Sequence, residues 1–478
     1  MNAKRVLDIF KEITAIPRES GHEGPITDWL CKWAADRNLE CKRDKTGNVL
    51  IVRAAAPGKE SVPAVVLQAH QDMVCEKNAG VEHDFRKDPI RYVIEDGWMI
   101  AKDTTLGADD GIGIAACLAL LEDTAPTGRV ECLFTISEET GMDGAEALES
   151  GFFSARTLIN LDSEDEGQLF IGCAGGLNTN IRFNVGRASL AGFDGSPLRL
   201  RIYGGAGGHS GDDIDRGRGN AVQLMARFLY GCLAGGIRLI SMTGGGKPNA
   251  IARECEAVVF APDAKKLAAA FRSFGEDIAE EFHRTDPGLS CEAQRLEPGQ
   301  FSSAFSVQST RRVISALFSA PHGVLAMSQD IPGLVQTSTN LASIKTASDG
   351  RSVEIATSQR SSSTSERRAV AAKVRAVFEA HGATVRHLYE YPGWNPDMNS
   401  RVLAQTVDAY RRLFGTEPEV KAIHAGLECG LFLQKFPGLD MISFGPTLRG
   451  VHAPGEKLEL ASLDKFVALL DELVRNFG

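Results

Sequence analysis

Five side chains of metal-ligating type, His70, Asp109, Glu139, Asp162 and His452, each stand in a setting that suits a ligand. Three of them end or closely follow short apolar runs. Val65-Val66-Leu67-Gln68-Ala69 leads into His70, Cys132-Leu133-Phe134-Thr135-Ile136 into Ser137-Glu138-Glu139, and Leu158-Ile159-Asn160-Leu161 into Asp162. Runs of this length read as buried strands. An open parallel sheet presents ligands beyond the carboxyl ends of its strands, so three strands would deliver these side chains to one edge. Nitrogen and oxygen donors together suit two divalent ions, Zn²⁺ or Mn²⁺.

Each residue also has a plainer reading. His70 and Asp72 lie two apart at a strand end, on one face, which makes Asp72 the natural orienting partner of a metal-bound imidazole, or else a solvated turn. Asp109, in Leu106-Gly107-Ala108-Asp109-Asp110-Gly111-Ile112-Gly113, is equally an N-cap for the helix that follows. The adjacent Glu138 and Glu139 would repel at the end of a buried strand unless a cation compensates. One can then ligate metal while the other faces a water as general base; the alternative is an exposed acidic turn. Asp162 fits a strand-ending turn, and His452 a loop. One two-metal site accounts for all five together more economically than five separate coincidences.

The elements that position these residues follow from apolar spacing. Ile26, Trp29, Leu30, Trp33 and Ala34 mark an amphipathic helix. Strands are expected over 48–53, 63–69, 130–136 and 157–161, and a buried helix over 110–121. This pattern gives an α/β fold with a mostly parallel sheet and helices on both faces. No candidate ligand appears between Asp162 and His452. Gly- and Ser-rich joints near Gly186 to Pro197 and the Tyr391-Pro392-Gly393-Trp394-Asn395-Pro396 break bracket that gap. The expected organisation is a first domain over 1–185, an inserted second α/β domain over 186–390 large enough for two domain-sized halves, and a return to the first domain over 391–478. Helices are expected over 366–381 and 400–413, and from Ser462, as N-cap, to Phe477.

Composition narrows the partners. With 478 residues, two domains are the natural expectation. A net charge of −10 disfavours nonspecific nucleic-acid binding and provides no polybasic membrane patch. The N-terminal segment lacks the apolar core of a signal peptide, and the apolar stretch 111–121 is too short to span a bilayer. Ten cysteines without a Cys-x-x-Cys pair indicate reduced thiols and a cytoplasmic setting. Gly207-Gly208-His209-Ser210-Gly211 is not a nucleophile elbow, Gly244-Gly245-Gly246-Lys247-Pro248 is not a phosphate loop, and there is no His-Glu-x-x-His.

Five strings carry a resemblance: Gln68-Ala69-His70-Gln71-Asp72-Met73-Val74, Leu106 to Gly113, Ile136-Ser137-Glu138-Glu139-Thr140-Gly141, Gly207 to Gly211, and His424-Ala425-Gly426-Leu427-Glu428-Cys429-Gly430. In this order they resemble the aminoacyl-histidine dipeptidases, within the di-zinc metallopeptidases that include glutamate carboxypeptidase and aminoacylase. The likeness continues to His452-Ala453-Pro454, where Ala453 stands in place of the serine of many relatives.

The resemblance implies a two-metal dipeptidase acting on unblocked dipeptides, Xaa-His substrates such as β-alanyl-histidine included. Asp109 would bridge two ions, most often Zn²⁺ with Mn²⁺ or Co²⁺ as substitutes, with His70 and Asp162 on one and Glu139 and His452 on the other. Glu138 would be the base, with Asp72 and His209 in catalytic support. His209, Asn249 and Arg360 match lid positions that meet the substrate, and Gly426 a catalytic-domain position whose backbone does so. It further implies a cis peptide between Asp109 and Asp110 and admits a homodimer through the lid. An N-acyl amino-acid deacylase or carboxypeptidase, using the same metals on another amide, is the nearest alternative. A metal-binding scaffold without catalysis is a more distant one, and the retained Glu138 argues against it.

Overall fold

The structure, a computed structural model, describes every residue except Pro298 and Gly478. The chain divides into two compact units, one of Met1–Cys173, Trp394–Ala422 and Leu427–Gly478, the other of Ala174–Gly393 with Ile423–Gly426.

The first unit is built on an eight-stranded sheet. Its centre is four parallel strands, Val130–Thr135, Val65–His70, Thr157–Asn160 and Asp440–Ser443, in that spatial order. Val49–Arg53 and Gln168–Cys173 flank this centre in antiparallel pairing, and Glu419–Ile423 lies beyond Gln168–Cys173 at the edge. Val65–His70 and Val130–Thr135 are buried at every position, as expected for strands covered on both faces. The helix Ala108–Glu122 is buried almost all round, and Val6, Ile9, Phe10 and Ile13 of the helix Ala3–Ile13 bury the opposite, apolar stripe of a strongly amphipathic segment.

Parallel register sets Gln68 opposite Asn160, and Asn160 opposite Ser443. These polar side chains, buried among apolar neighbours, satisfy one another. Asn160 Nδ2 donates to Gln68 Oε1 at 2.6 Å, Gln68 Nε2 donates to Thr135 Oγ1 at 3.1 Å and Glu428 Oε2 at 2.7 Å, and Ser443 Oγ donates to Asn160 Oδ1. A buried polar network closed in this way specifies one register, since a slip would orphan several groups at once.

The closing helix runs Leu460–Arg475 with Glu459 at its N-cap, so Ser462 is not the cap. The Ser462 hydroxyl is engaged elsewhere, accepting from Thr447 N at 2.8 Å and donating to Glu459 O at 2.8 Å. Ser400 does cap its helix, Arg401–Phe414, by accepting from Leu403 N. Among the described residues all ten cysteines are free, and no helix is long and apolar enough to cross a membrane.

The second unit contains one nine-stranded antiparallel sheet. Burial alternates along Gly175–Asn184, where one face is covered and the other open, whereas Cys255–Ala261 and Val335–Thr346 are buried at most positions. Helices Ala221–Cys232, Ala264–Glu281, Val307–Ser319 and Thr364–Ala380 share one core with the sheet, including Phe228, Phe271, Ile314, Phe378, Leu198 and Leu341. Pairing of Arg238–Gly245 with Val335–Thr346 over three positions joins what would otherwise be two halves. The unit takes in Gly175–Asn184, whereas the Gly-rich joint near Gly186 suggests a boundary after that strand. It also takes in Ile423–Gly426, because Ala174 N donates to Ile423 O and Ala425 O. Gly426 therefore belongs with the second unit rather than with the catalytic-domain residues expected from the sequence.

Candidate metal centre and anion site

In the first unit the central strand ends bring all five expected ligands together. His70 closes its strand and Asp162 follows Thr157–Asn160; Asp109 opens the helix Ala108–Glu122, and Glu139 lies in the short helix Glu138–Gly141. His452 comes from a turn, with φ 63°. Asp109 sits between the two imidazoles, its Oδ1 2.8 Å from His70 Nε2 and its Oδ2 3.2 Å from His452 Nε2. His452 Nε2 is also 3.0 Å from Glu139 Oε1, and His70 Nε2 is 3.6 Å from Asp162 Oδ1. Ligand-type atoms of His70, Asp109 and Glu139 lie within 4.8 Å of one another, as do those of His70, Asp110 and Asp162.

Asp110 was not among the expected ligands, and its position resolves the N-cap question. Its Oδ1 accepts Gly113 N at 3.1 Å, so Asp110 caps the helix and Asp109 is left free for the centre. The Asp109–Asp110 peptide is cis. Asp110 Oδ2 is buried without a hydrogen-bond partner among the described residues.

Asp72 does less for His70 than the His-x-Asp spacing suggests. His70 Nδ1 is 3.1 Å from the Asp72 carbonyl and 3.5 Å from its carboxylate. That carboxylate instead accepts Glu138 N at 3.0 Å, Glu139 N at 3.2 Å and Ser20 Oγ at 2.8 Å. Asp72 thus orients the Glu138-Glu139 turn, and Glu23, accepting from Ser137 N and Oγ, holds the left-handed residue before it.

The charges of this centre are unbalanced. Burial, and then the negative charge of Asp162, push the Glu138 and Asp110 carboxyls well above the ordinary range. Burial and the charge of Asp109 raise Asp162 to about 6 and Glu164 to about 7. Hydrogen bonds to Asp109 and Glu139 raise His452 to about 11. Burial opposes charging of His70, but Asp162 and Asp109 still drive its imidazole well above its usual value. Protons gathered on imidazoles and carboxyls mark an excess of negative charge that divalent cations would neutralise, and the donor set fits such ions.

Sequence reasoning gave no role to Glu428, a carboxyl buried beside Gln68 and Thr135 with Oε1 unpartnered among the described residues, which burial pushes up to about 8. Its only signal is its place in the 424–430 string.

The second unit groups His209, Asn249 and Arg360. An isolated bridge pairs His209 with Ala250, and Ser210 N donates to Asn249 O at 2.8 Å. His209, Asn249 and Lys247 line a cleft of about 530 Å³ with the Gly207-Gly208 backbone. Arg360 is 8% exposed and has no carboxylate partner: Nη2 is 3.4 Å from His209 Nε2, Nη1 is 3.5 Å from Tyr391 Oη, and Nε is unpartnered among the described residues. A desolvated guanidinium without an anion is costly, and a ligand carboxylate would complete it. Asp212, absent from the expected set, faces His209 Nδ1 at 3.1 Å. Gly426 makes room for the Tyr391 ring, which a Cβ there would approach to 2.9 Å.

His424 is buried with Nε2 2.8 Å from Ser338 Oγ, and burial, then the charge of Arg360, push it down to about 4. Unfolding exposes an imidazole of ordinary value near 6.5, so the unfolded chain binds the extra proton. The stabilisation is therefore complete above pH 6.5 and is lost as pH falls towards 4. Histidine NMR should find His424 neutral at pH 5.5; titration near 6.5 would contradict this.

The chain resembles known proteins over nearly its whole length. The sequence model described as "Peptidase family M20/M25/M40" matches residues 66–476. The cytosol non-specific dipeptidase of Escherichia coli strain K12 is 39% identical over 473 residues, 98% of this chain and 96% of that protein. The crystal structure of aminoacylhistidine dipeptidase from Vibrio alginolyticus superposes with a TM-score of 0.92 at 38% identity, covering 99% of this chain and 96% of that one. Aminopeptidase PepT from Bacillus cereus shares the fold, with a TM-score of 0.63 at 17% identity over 99% of this chain and 98% of that one. The chain belongs to peptidase family M20/M25/M40.

Proposed function

We propose that this peptidase is a dinuclear metal-dependent dipeptidase of the cytoplasm that hydrolyses unblocked dipeptides, Xaa-His dipeptides such as β-alanyl-histidine among them. The observation that carries the reading is Asp109, with one carboxylate oxygen at each imidazole, 2.8 Å from His70 and 3.2 Å from His452. A single carboxylate disposed in this way suits a bridge between two ions. His70 and Asp162 would complete one side, Glu139 and His452 the other. Relatives named as a cytosol non-specific dipeptidase and an aminoacylhistidine dipeptidase, both near 40% identity, support the substrate class.

When bound, two such ions, Zn²⁺ or in its place Mn²⁺ or Co²⁺, supply Lewis acidity toward the scissile carbonyl and the attacking water. The protein does the rest. Glu138, held by Asp72 through its backbone, takes the proton of the attacking water and passes it to the leaving amine. His209, with Asp212 on Nδ1, presents Nε2 as donor to the developing oxyanion. Arg360 holds the carboxylate of the dipeptide by a charge-assisted pair, and Asn249 and the Gly426 segment complete the substrate contacts.

A free α-amino group separates the substrate of a dipeptidase from that of a deacylase, and a free carboxylate one residue beyond the scissile bond separates a dipeptide from a longer or amidated peptide. The test is kcat/KM for β-alanyl-histidine and alanyl-histidine, their C-terminal amides and their N-acetyl forms, on wild type and Arg360→Ala. Wild type should prefer the free dipeptides over both blocked forms. Arg360→Ala should lower kcat/KM for free dipeptides by about 2–5 kcal/mol equivalents, the scale for removing one partner of a buried charge pair, and leave the amides little changed. Wild type that cleaves N-acetylated substrates as fast as free dipeptides would move the reading to the deacylase, and amides cleaved as fast as free dipeptides would remove Arg360 as the carboxylate clamp and weaken the dipeptidase reading.

A further inference from the structure

We propose that Glu456 is a positioning residue of the metal centre: its carboxylate locks the 106–109 loop so that Asp109 stands opposite His452. The proposal rests on the two-metal reading above. Glu456 is buried, and its two oxygens collect four backbone donors, Leu106 N at 2.7 Å and Gly107 N at 3.0 Å on Oε2, Ala108 N at 2.8 Å and Asp109 N at 3.4 Å on Oε1.

The helix that Asp110 caps begins after a kink at which Asp109 and Asp110 are non-helical, so the N–H groups of 106–109 lie ahead of it and, being buried, need an acceptor of their own. Gly107, with φ 69°, has no side chain to offer, and a Cβ there would crowd Arg18 Nη2 and Met73 Sδ. The acceptor comes instead from a segment some 350 residues away in the sequence. That segment is the one that bears His452, four residues before Glu456. One side chain therefore ties together the backbone of one proposed ligand and the turn of another.

The loop is gripped from its other side as well. Arg18, fully buried, donates to Gln71 O at 3.1 Å, Asp72 O at 2.7 Å and Gly107 O. The carbonyl of Gly107 faces a guanidinium and its N–H a carboxylate, so neither buried charge needs a direct partner. The same Arg18 reaches the Gln71-Asp72 backbone just after His70. Three ligand-bearing segments are thus fixed by two side chains that touch no proposed ligand side chain.

Glu456→Gln keeps the size but replaces one acceptor by an amide that must point at backbone N–H groups. Metal-free wild type and variant are titrated with Zn²⁺, and separately with Mn²⁺, by calorimetry, with thermal unfolding of both metal-free proteins and kcat and KM at saturating metal. Wild type should bind two equivalents, and the variant should lose about 10–100-fold in affinity for at least one, the usual size for an outer-shell partner. At saturating metal its kcat should recover most of the loss, with KM for dipeptide unchanged. A merely structural role would lower the metal-free unfolding temperature and leave the metal isotherm as in wild type; that outcome, or an unaltered isotherm alone, overturns the proposal. If Glu456→Gln does not fold, Glu456→Asp, which keeps the charge but retracts it, is judged by the same titration. Failure of wild type to bind any metal would instead remove the two-metal reading itself.

Discussion

Glu138→Gln should retain both metal equivalents and lose a factor of about 10² to 10⁴ in kcat, the usual size of a general acid–base contribution. The amide is isosteric and keeps the backbone N–H that donates to Asp72 Oδ1 at 3.0 Å, so the turn bearing Glu139 stays in place. What disappears is a proton acceptor in a buried site where neighbouring negative charge favours the protonated form once a proton has been taken. KM should change little, because the loss falls on the transition state. Metal analysis beside steady-state turnover decides it. Wild-type kcat with metals retained would remove Glu138 from the base role, and loss of metal would mean that it is a ligand.

Removal of metal should abolish hydrolysis altogether, and Zn²⁺ or Mn²⁺ should restore it. All five proposed ligands lie in the first unit, so the second, with its own sheet and core, should keep its fold. Far-UV circular dichroism of the chelated protein should therefore stay close to that of the untreated one while turnover vanishes. Without ions the centre holds Asp109, Asp110, Glu138, Glu139 and Asp162 against two imidazoles, an imbalance that protons alone must meet. Chelated enzyme with full activity would sink the metal centre.

Four of the five proposed ligands were legible because each follows a strand or opens a helix whose apolar run is plain, whereas His452, in a turn, was legible only from its place in the resemblance. Val65 to Ala69 and Val130 to Thr135 read as buried strands and are so. The residues that aim the ligands were not legible. Arg18 and Glu456 are buried charges met by backbone groups distant in the chain, Glu428 is buried beside the distant Gln68, and nothing in their local sequence separates them from surface charges. Asp110 received no role, although it takes the capping role that would otherwise occupy Asp109. Ser462 illustrates the opposite error: a good cap type before an apolar run, its hydroxyl already committed to Thr447 and Glu459. The Gly-rich stretch after Asn184 looked like a domain joint and is a turn between strands, because strand Gly175–Asn184 pairs with Ser352–Ser361 along its whole length.

The order in which the parallel strands are placed has a bearing on biosynthesis. Asp440–Ser443 lies between Thr157–Asn160 and Gln168–Cys173, so strands close in sequence wait for one made some 270 residues later. The second unit's long segment emerges from the ribosome in the interval, with nearly all of its sheet and core encoded contiguously. It can fold while the first unit is still open, and sequence-distant pairing makes the first unit the slow partner. His452, a proposed ligand, is translated later still, so on the two-metal proposal a nascent chain would carry no competent hydrolytic centre beside other unfolded polypeptide until both units have been synthesised.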